Sequence, residues 1–196
     1  MLVETKSQVH EKLLFLYKFV CSPGQIGSVT PSSRYLANKM VSSVPWDQIS
    51  SIAELGAGTG AITKHIQAVR QANTKVLLFE KDPYLQQALE RHYPQFACYS
   101  DGRDLSFAMR QESIEQLDAI ISGLPFFNFP QAIRDQLMNQ IVASLKTGGL
   151  FIAFQYSLQM KSQLSEYFDI EAVHWVPLNL PPAFVYVCRK KGARQS

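Results

Sequence analysis

SSIAELGAGTG, residues 50 to 60, is the stretch that decides the fold of this chain. A short apolar run ends at Glu54, and a glycine then occupies every second position. The glycines are Gly56, Gly58 and Gly60. Apolar residues recur at helical spacing immediately afterwards, from Ile62 to Val69. This order of strand, glycine turn and helix is typical of the first unit of a nucleotide-binding βαβ fold.

A second acidic residue stands where such a fold needs one. Glu80 ends the apolar segment Lys75–Glu80, about 20 residues after the glycine turn, a position that binds the ribose hydroxyls of a nucleotide cofactor. The glycine turn led by Glu54 looks more like that of S-adenosylmethionine methyltransferases than that of dinucleotide dehydrogenases. Because Ala61 follows the third glycine, the spacing does not strictly exclude a dinucleotide, and a purely structural turn is a further alternative.

Bulk properties indicate one α/β domain with a short appendage. The chain has 196 residues, 46% of them hydrophobic and 18% charged, with a net charge of +3. It shows no apolar run long enough to span a bilayer, no secretory signal and no dense basic stripe for nucleic acid. Three widely spaced cysteines favour a reducing compartment. We predict a helical membrane-binding or lid segment over residues 1–45 and a cofactor-binding domain over residues 46–196.

The amino-terminal segment contains an unusually apolar helix candidate, residues 8 to 20, in which only Glu11 and Lys18 form a polar patch. Two interpretations stay open: a helix packed over the cofactor site, or an interfacial helix that enters a lipid headgroup layer. A second helix is predicted to start with Thr30 as N-cap and Pro31 at its first position, and to end near Pro45.

The rest of the chain alternates strands and helices. Strands are predicted at Lys75–Glu80, Phe96–Ser100, Leu117–Ser122, Leu150–Gln155, Ile170–Val176 and Ala183–Cys188, and helices at Pro83–His92, Pro130–Leu145 and from Ser157 to Phe168. This alternation predicts an α/β, Rossmann-like fold with helices on both faces of a seven-stranded, mostly parallel sheet. The closing hairpin-like pair predicts an antiparallel last strand.

Ligands of such sheets bind beyond the carboxyl ends of the strands, where the strand order reverses. We therefore expect four strand ends to converge on the cofactor: Glu54 with its glycines, Glu80 with Lys81, Asp101 with Gly102, and the segment from Ser122 to Phe126. Asp101 is predicted to accept the exocyclic amine of adenine. Its alternative is an ordinary loop aspartate that caps the next turn.

The segment SGLPFFNFP, residues 122 to 130, is the second informative stretch. Backbone carbonyls of Ser122, Gly123 and Leu124 are predicted to orient an amine for attack on a sulfonium methyl group. The phenylalanines that follow form either core or a cage for a methylated ammonium. Tyr35 is the candidate base, and the four histidines show no metal-ligand spacing.

Three further segments resemble bacterial phospholipid N-methyltransferases, a family of class I S-adenosylmethionine-dependent enzymes. They are Phe19-Val-Cys-Ser-Pro-Gly-Gln-Ile-Gly-Ser-Val-Thr-Pro-Ser-Ser-Arg-Tyr-Leu-Ala37, Ser122-Gly-Leu-Pro-Phe126 and Asn179-Leu-Pro-Pro-Ala-Phe184. Together with the glycine turn, they spread the resemblance over roughly residues 12 to 188.

The resemblance implies stepwise N-methylation of phosphatidylethanolamine toward phosphatidylcholine. S-adenosylmethionine is the implied donor and S-adenosylhomocysteine the product, with no metal. The protein would be cytoplasmic and peripheral, bound to the inner membrane face through its N-terminal helix, with neither nucleic acid nor a stable protein partner. The implied cofactor residues are Ser28, Glu54, Gly56, Ala57, Gly58, Thr59, Gly60, Glu80, Lys81, Asp101, Gly102 and Ser122, and the implied acceptor residues are Arg34, Pro125, Phe126 and Phe127.

Two alternatives remain. Ribosomal-RNA adenine dimethyltransferases are also similar, but they carry Asn-Leu-Pro-Tyr where this chain has Gly123-Leu-Pro-Phe126, and an RNA-binding helical domain for which this chain has no counterpart. The other alternative is a non-catalytic, membrane-associated protein that binds S-adenosylmethionine.

Overall fold

The computed structural model describes residues 32–192 except 125, 127 and 128. Strands and helices alternate along this part of the chain. The helices are α1 (Arg34–Ser42), α2 (Thr63–Val69), α3 (Pro83–His92), α4 (Leu105–Gln111), α5 (Gln131–Ser144) and α6 (Lys161–Tyr167). The strands are β1 (Ser51–Leu55), β2 (Lys75–Phe79), β3 (Ala97–Tyr99), β4 (Leu117–Ser122), β5 (Leu145–Gln155), β6 (Phe168–Val176) and β7 (Ala183–Lys190).

The seven strands form one sheet in the order β3-β2-β1-β4-β5-β7-β6. All pairs from β3 to β5 are parallel, whereas β7 runs antiparallel to both β5 and β6. The predicted mostly parallel sheet with an antiparallel last strand is confirmed. The strand order reverses between β1 and β4, which places the expected ligand crevice beyond the carboxyl ends of these two strands.

Helices cover both faces of the sheet, and each face has its own apolar core. Ile52 of β1 packs in the cluster that contains Leu36 of α1 and Ile66 of α2. The neighbouring Ala53 points to the opposite cluster, which contains Leu105 of α4. Because successive strand residues alternate between the faces, a central strand covered on both sides is buried throughout, as β1 and β4 are.

Helix α1 begins later than predicted. The described helix starts at Arg34, and its N-cap is Ser33, whose side chain accepts a hydrogen bond from the Leu36 N–H. The prediction of Thr30 as N-cap was therefore wrong, since Ser33 supplies the hydroxyl acceptor that a helix start requires. Four side chains of α1 are buried against the sheet: Leu36, Ala37, Met40 and Val41. The division at residues 45 and 46 stays a prediction.

Three other elements differ from the predicted ones. Strand β5 starts at Leu145, where its ladder with β4 has an irregularity that admits the predicted turn at Gly148. Helix α6 starts at Lys161, and Ser157 caps no helix; its carbonyl accepts a hydrogen bond from the Tyr186 hydroxyl. Helix α4, seven residues long, was not predicted.

Candidate active site

Glu54 lies at the end of β1, completely buried at the point where the strand order reverses. Its Oε2 accepts a hydrogen bond of 2.7 Å from the hydroxyl of Thr63, at the start of α2. Its Oε1 is buried and has no hydrogen-bond partner within the described part of the chain. Burial raises the pKa of Glu54 to about 8, the Thr63 hydrogen bond opposes this shift, and the nearby Glu80 charge adds to it. A buried acceptor atom left over in this way is ready for a ligand.

The glycine turn brings backbone from three strand ends together. Gly56, Gly58 and Gly60 all have positive φ angles, of 75°, 56° and 83°. A Cβ at position 56 would lie 2.6 Å from the Leu124 side chain at the end of β4, so only glycine fits there. A Cβ at position 58 would meet no atom of the described residues within 4 Å. The space beside Gly58 is therefore open to a ligand, which a larger residue would obstruct.

Glu80 is held against the glycine turn by backbone hydrogen bonds. Its Oε2 accepts from the Gly58 N–H at 2.7 Å, and its Oε1 accepts from the Asp82 N–H at 2.9 Å. Each carboxylate oxygen keeps a further lone pair, which suits the predicted role of binding two ribose hydroxyls. Lys81 is exposed beside it, as is Thr59 in the turn, whereas Ala57 is buried.

Asp101 follows β3 and caps the short 3₁₀ helix Gly102–Asp104. Its side chain accepts from the Arg103 N–H and also pairs with the Arg103 guanidinium, at 2.5 Å between Nη2 and Oδ2. The hydrogen bond from the Arg103 side chain lowers the pKa of Asp101. This is the capping role named above as the alternative. Acceptance of the adenine amine by Asp101 stays a prediction. It would require the Asp101 carboxylate to bind the adenine amine and the Arg103 guanidinium at the same time.

The end of β4 forms a tight turn facing β1. The Gly123 N–H donates to the Leu55 carbonyl at 2.8 Å, and a Cβ at position 123 would lie 2.8 Å from the Gly56 carbonyl oxygen. The Leu124 N–H donates to the buried Ser122 hydroxyl at 3.2 Å, and the Leu124 carbonyl accepts from the Phe126 N–H at 2.9 Å. These bonds fix the three residues predicted to orient the amine.

The ring of Phe126 lies inside the core. It is fully buried and makes edge contacts with Phe129 and Phe151, with centroids 6.5 and 5.9 Å away. For this phenylalanine the geometry favours the core interpretation over the ammonium cage. Pro125 and Phe127, the other predicted acceptor residues of the segment, lie outside the described residues.

Arg34 and Tyr35 stand exposed at the start of α1. The guanidinium lies over the Tyr35 ring, 4.8 Å from its centroid, and donates to the Tyr35 hydroxyl at 2.8 Å. The Ser33 N–H donates to Asn179 Oδ1 at 3.0 Å, and this bond fastens the start of α1 to the loop between β6 and β7. Tyr35 is thus on the carboxyl edge of the sheet, although its role as base stays a prediction. Ser28 and the helix proposed for residues 8 to 20 lie outside the described residues.

Sequence reasoning gave no site role to two polar side chains at this edge, Gln155 and Asn179, although Asn179 begins one of the segments that carry the resemblance. Gln155 ends β5 with only 5% exposure, and its Nε2 has no partner among the described residues. Asn179 is 4% exposed and bonds both Ser33 and Pro181. Burial raises the pKa of Tyr156 to about 12, and a hydrogen bond with the Asn179 side chain partly offsets this. A glutamine directly after an apolar strand was the one available signal for Gln155.

The carboxyl edge fits S-adenosylmethionine. Two groups supply hydrogen-bond acceptors: the Glu54 oxygen without a partner among the described residues, and the Glu80 carboxylate held by two backbone N–H groups. The open space at Gly58 gives room for a nucleoside with a cationic tail. Within the described ranges, no cluster of three His, Cys, Asp or Glu residues could hold a metal ion. Nor does any described helix have the length and apolar character needed to cross a membrane.

No family model matches the chain. The ornithine lipid N-methyltransferase of Singulisphaera acidiphila is 34% identical over 188 residues, which cover 93% of this chain and 97% of that protein. Among solved structures, the N-methyltransferase NodS from Bradyrhizobium japonicum, in complex with S-adenosyl-L-homocysteine, has a TM-score of 0.64 at 11% identity and covers 81% of this chain and 88% of its own. Precorrin-6y C5,15-methyltransferase from Geobacter metallireducens has a TM-score of 0.60 at 11% identity, with coverages of 79% and 88%. At these identities the two structures show the fold alone.

Proposed function

The chain belongs to the family of the ornithine lipid N-methyltransferase, S-adenosylmethionine-dependent methyltransferases, and on that premise we propose that it methylates the amino headgroup of a membrane lipid. The observation that carries the proposal is 34% identity over 188 residues, which cover 93% of this chain and 97% of that relative. The predicted donor, S-adenosylmethionine, is confirmed, and no step of the proposal needs a metal.

When bound, S-adenosylmethionine supplies a methyl group already activated by its sulfonium. The residues of the chain then have two tasks, to align the amine with that methyl group and to accept the proton that the ammonium form must lose. Gly123 and Leu124 present backbone at the switch point, where the Leu124 nitrogen lies 3.5 Å from the position that a Cβ of Gly56 would take. Alignment by fixed backbone needs no mobile side chain. Tyr35 is the proposed proton acceptor.

Gln155 extends this proposal to the rest of the headgroup. Its amide is buried at the end of β5, whose Ala153 pairs with Ser122 of β4. An amide N–H buried without a partner costs free energy until it finds an acceptor. We infer that it donates to an oxygen of the acceptor headgroup, a phosphate or a carboxylate.

Two acceptors are candidates. Phosphatidylethanolamine, methylated stepwise toward phosphatidylcholine, is the acceptor proposed from the sequence motifs. An ornithine lipid is the second, and its support is the name of the 34% identical relative. Both present an amine beside an anionic group, so both suit a site with a buried amide donor and an amine-orienting turn.

The test is transfer of radiolabelled methyl groups from S-adenosylmethionine to vesicles that contain phosphatidylethanolamine, ornithine lipid or neither, beside a ribosomal-RNA control. Label in either aminolipid supports the proposal and identifies the acceptor, and chromatography of the product counts the methyl groups added. Label in RNA alone would replace the proposal with the RNA alternative. Cofactor binding with no label anywhere would favour the non-catalytic alternative.

The peripheral association with the inner membrane face remains part of the proposal. Phe15→Asp combined with Phe19→Asp is expected to weaken vesicle binding while the affinity for S-adenosylhomocysteine is unchanged, because an interfacial helix contacts lipid and not cofactor. A parallel loss of both would indicate that this segment is chiefly a lid.

A further inference from the structure

The loop between β6 and β7, residues 177 to 182, holds two leucines out in solvent. Leu178 is 63% exposed and Leu180 is 80% exposed, whereas Asn179 between them is 4% exposed. A single exposed leucine is ordinary, whereas several large apolar side chains exposed together are typical of an interaction surface.

Hydrogen bonds from Asn179 hold the loop in this form. Its Oδ1 accepts from the Ser33 N–H at 3.0 Å, its Nδ2 donates to the Pro181 carbonyl at 2.7 Å, and its own N–H donates to the Val176 carbonyl at 3.4 Å. The loop is thus tied to α1 and to the end of β6. The hydrogen bonds of Asn179 bury its side chain and leave the side chains of Leu178 and Leu180 in solvent.

Other exposed apolar side chains lie at the same edge, and we call the whole set the leucine-loop face. Trp175 is 53% exposed and contacts the Phe184 ring with centroids 4.6 Å apart. The members of the face are Tyr35, Leu158, Trp175, Leu178 and Leu180. Tryptophan, tyrosine and leucine together are the side chains that favour the boundary between lipid headgroups and acyl chains.

The charge of the leucine-loop face suits an anionic surface. The segments that form it, residues 32–35, 156–160 and 174–184, contain no Asp or Glu and include one arginine, Arg34. The donor half of the same edge differs, since Glu80, Asp82, Asp101 and Asp104 follow β2 and β3. An acid-free apolar face with a cation at its border is not repelled by anionic lipid headgroups.

We propose that the leucine-loop face docks on the headgroup–acyl boundary of an anionic lipid bilayer, with Leu178 and Leu180 inserted. The proposal rests on the proposed function, which requires the amine of a lipid to reach the switch point. The loop lies on the carboxyl edge of the sheet, the edge that holds the glycine turn and the end of β4. Docking there therefore turns the acceptor side of the site toward the membrane.

The first experiment measures the full-length protein on vesicles of equimolar phosphatidylglycerol and phosphatidylcholine, which offer no amine to methylate. The chain has two tryptophans. With phosphatidylcholine brominated along its acyl chains, tryptophan fluorescence is expected to be quenched, and Trp175→Phe should remove more than half of the quenched intensity. Equal quenching in both proteins would overturn the proposal, because Trp175 would not reach the lipid.

The second experiment compares two matched surface variants by co-sedimentation with the same vesicles. Leu178→Ser combined with Leu180→Ser should lower the vesicle partition coefficient about tenfold, since two leucines lose their contact with lipid. Val69→Ser removes a side chain of 47% exposure at the far end of α2 and should leave the coefficient unchanged. Unchanged binding of the leucine variant would overturn the proposal. So would loss of self-association in that variant without loss of vesicle binding, because the face would then bind a second copy.

These vesicle measurements separate docking from catalysis. Weakened docking of the leucine variant in a protein that labels no lipid would support the docking face and reject the proposed function. Strong lipid labelling by the wild type, together with unchanged vesicle binding of the leucine variant, would support the proposed function and reject the docking face.

Discussion

Two carboxylates lie at opposite ends of the neighbouring strands β1 and β4, and they differ in how many hydrogen-bond partners the protein gives them. Asp118, near the start of β4, accepts from the Ser50 N–H at 2.7 Å and the Ser51 N–H at 3.0 Å, and it also pairs with the Lys146 ammonium. Glu54, near the end of β1, has one hydrogen bond, and its other oxygen has no partner among residues 32–192 as far as they are described. Asp118 at the amino edge of the sheet is saturated with partners, whereas Glu54 at the carboxyl edge keeps one oxygen without a partner in the described part of the chain.

The pKa values follow this difference. Burial opposes ionisation of Asp118, but hydrogen bonds from Lys146, Ser50 and Ser51 outweigh it and lower its pKa. Burial dominates at Glu54 and raises its pKa to about 8. A carboxylate whose partners are all in the protein stabilises the fold, and one whose partner is missing is available to a ligand.

The largest expected effect comes from valine at two glycines in the same conformation. Gly58 and Gly148 have φ angles of 56° and 75°, and a Cβ at either would meet no atom within 4 Å. Gly58→Val should reduce the affinity for S-adenosylhomocysteine more than 100-fold, because the side chain enters the space that the cofactor needs. Gly148→Val carries a similar backbone strain, of about 1–2 kcal/mol, at the amino edge. Isothermal titration should show normal affinity for Gly148→Val, and near-normal affinity of Gly58→Val would refute the assigned site.

Removing the saturated carboxylate should affect stability alone. Asp118→Ala leaves two backbone N–H groups and the Lys146 ammonium without their acceptor, which is expected to lower the free energy of unfolding by about 3 kcal/mol. Urea unfolding followed by circular dichroism measures this change. The affinity of the folded variant for S-adenosylhomocysteine should match that of the wild type. A weakened affinity would mean that the two edges are coupled.

Glu54→Gln tests the carboxylate that has an oxygen available to the cofactor. Glutamine retains an acceptor for the Thr63 hydroxyl but loses the second carboxylate oxygen and the ionisable proton. We expect about a tenfold lower affinity for S-adenosylhomocysteine, about 1.4 kcal/mol, with stability at pH 7 equal to or above that of the wild type. Loss of stability as large as in Asp118→Ala would contradict the distinction between the edges.

The two carboxylates also predict pH dependences of opposite sign. The folded pKa of Glu54, about 8, lies above its ordinary 4.5, so its contribution is complete below pH 4.5 and is lost as pH rises to 8. The lowered pKa of Asp118 gives stability that is present above its ordinary 3.8 and is lost at lower pH. Between pH 5 and 8, the free energy of unfolding of the cofactor-free protein should fall by up to about 1.4 kcal/mol per pH unit. Glu54→Gln should abolish this slope, and a slope that persists would assign it elsewhere.

Local patterns in the sequence predicted the first βαβ unit of this molecule. Glu54, the glycines and Glu80 belong to one βαβ unit, whose periodicity and spacing are visible over 30 residues. The mostly parallel sheet with its antiparallel last strand followed from the alternation of strands and helices, whereas the order of the strands was not predicted. Helix α4 was missed because its buried stripe, formed by Leu105, Ala108 and Met109, is only one and a half turns long.

Contacts between distant segments were beyond such patterns. Ser50 and Asp118 are 68 positions apart, and Ser33 and Asn179 are 146 apart. Whether Phe126 faced the core or a ligand depended on Phe151, in another strand. The contact between α1 and the loop that precedes β7 is of this kind, so no local pattern indicated that Asn179 would be buried there.

The hydrogen bond between Ser33 and Asn179 has a consequence for the order of assembly during synthesis. Chains emerge from the ribosome amino end first, so the start of α1 is available long before its partner. β7 must enter between β5 and β6, and the loop that carries Asn179 precedes it directly. A nascent chain that has reached α5 already contains the glycine turn, Glu80 and the end of β4. The contact between Ser33 and Asn179 forms only near the end of synthesis, so an unfinished copy has an incomplete carboxyl edge.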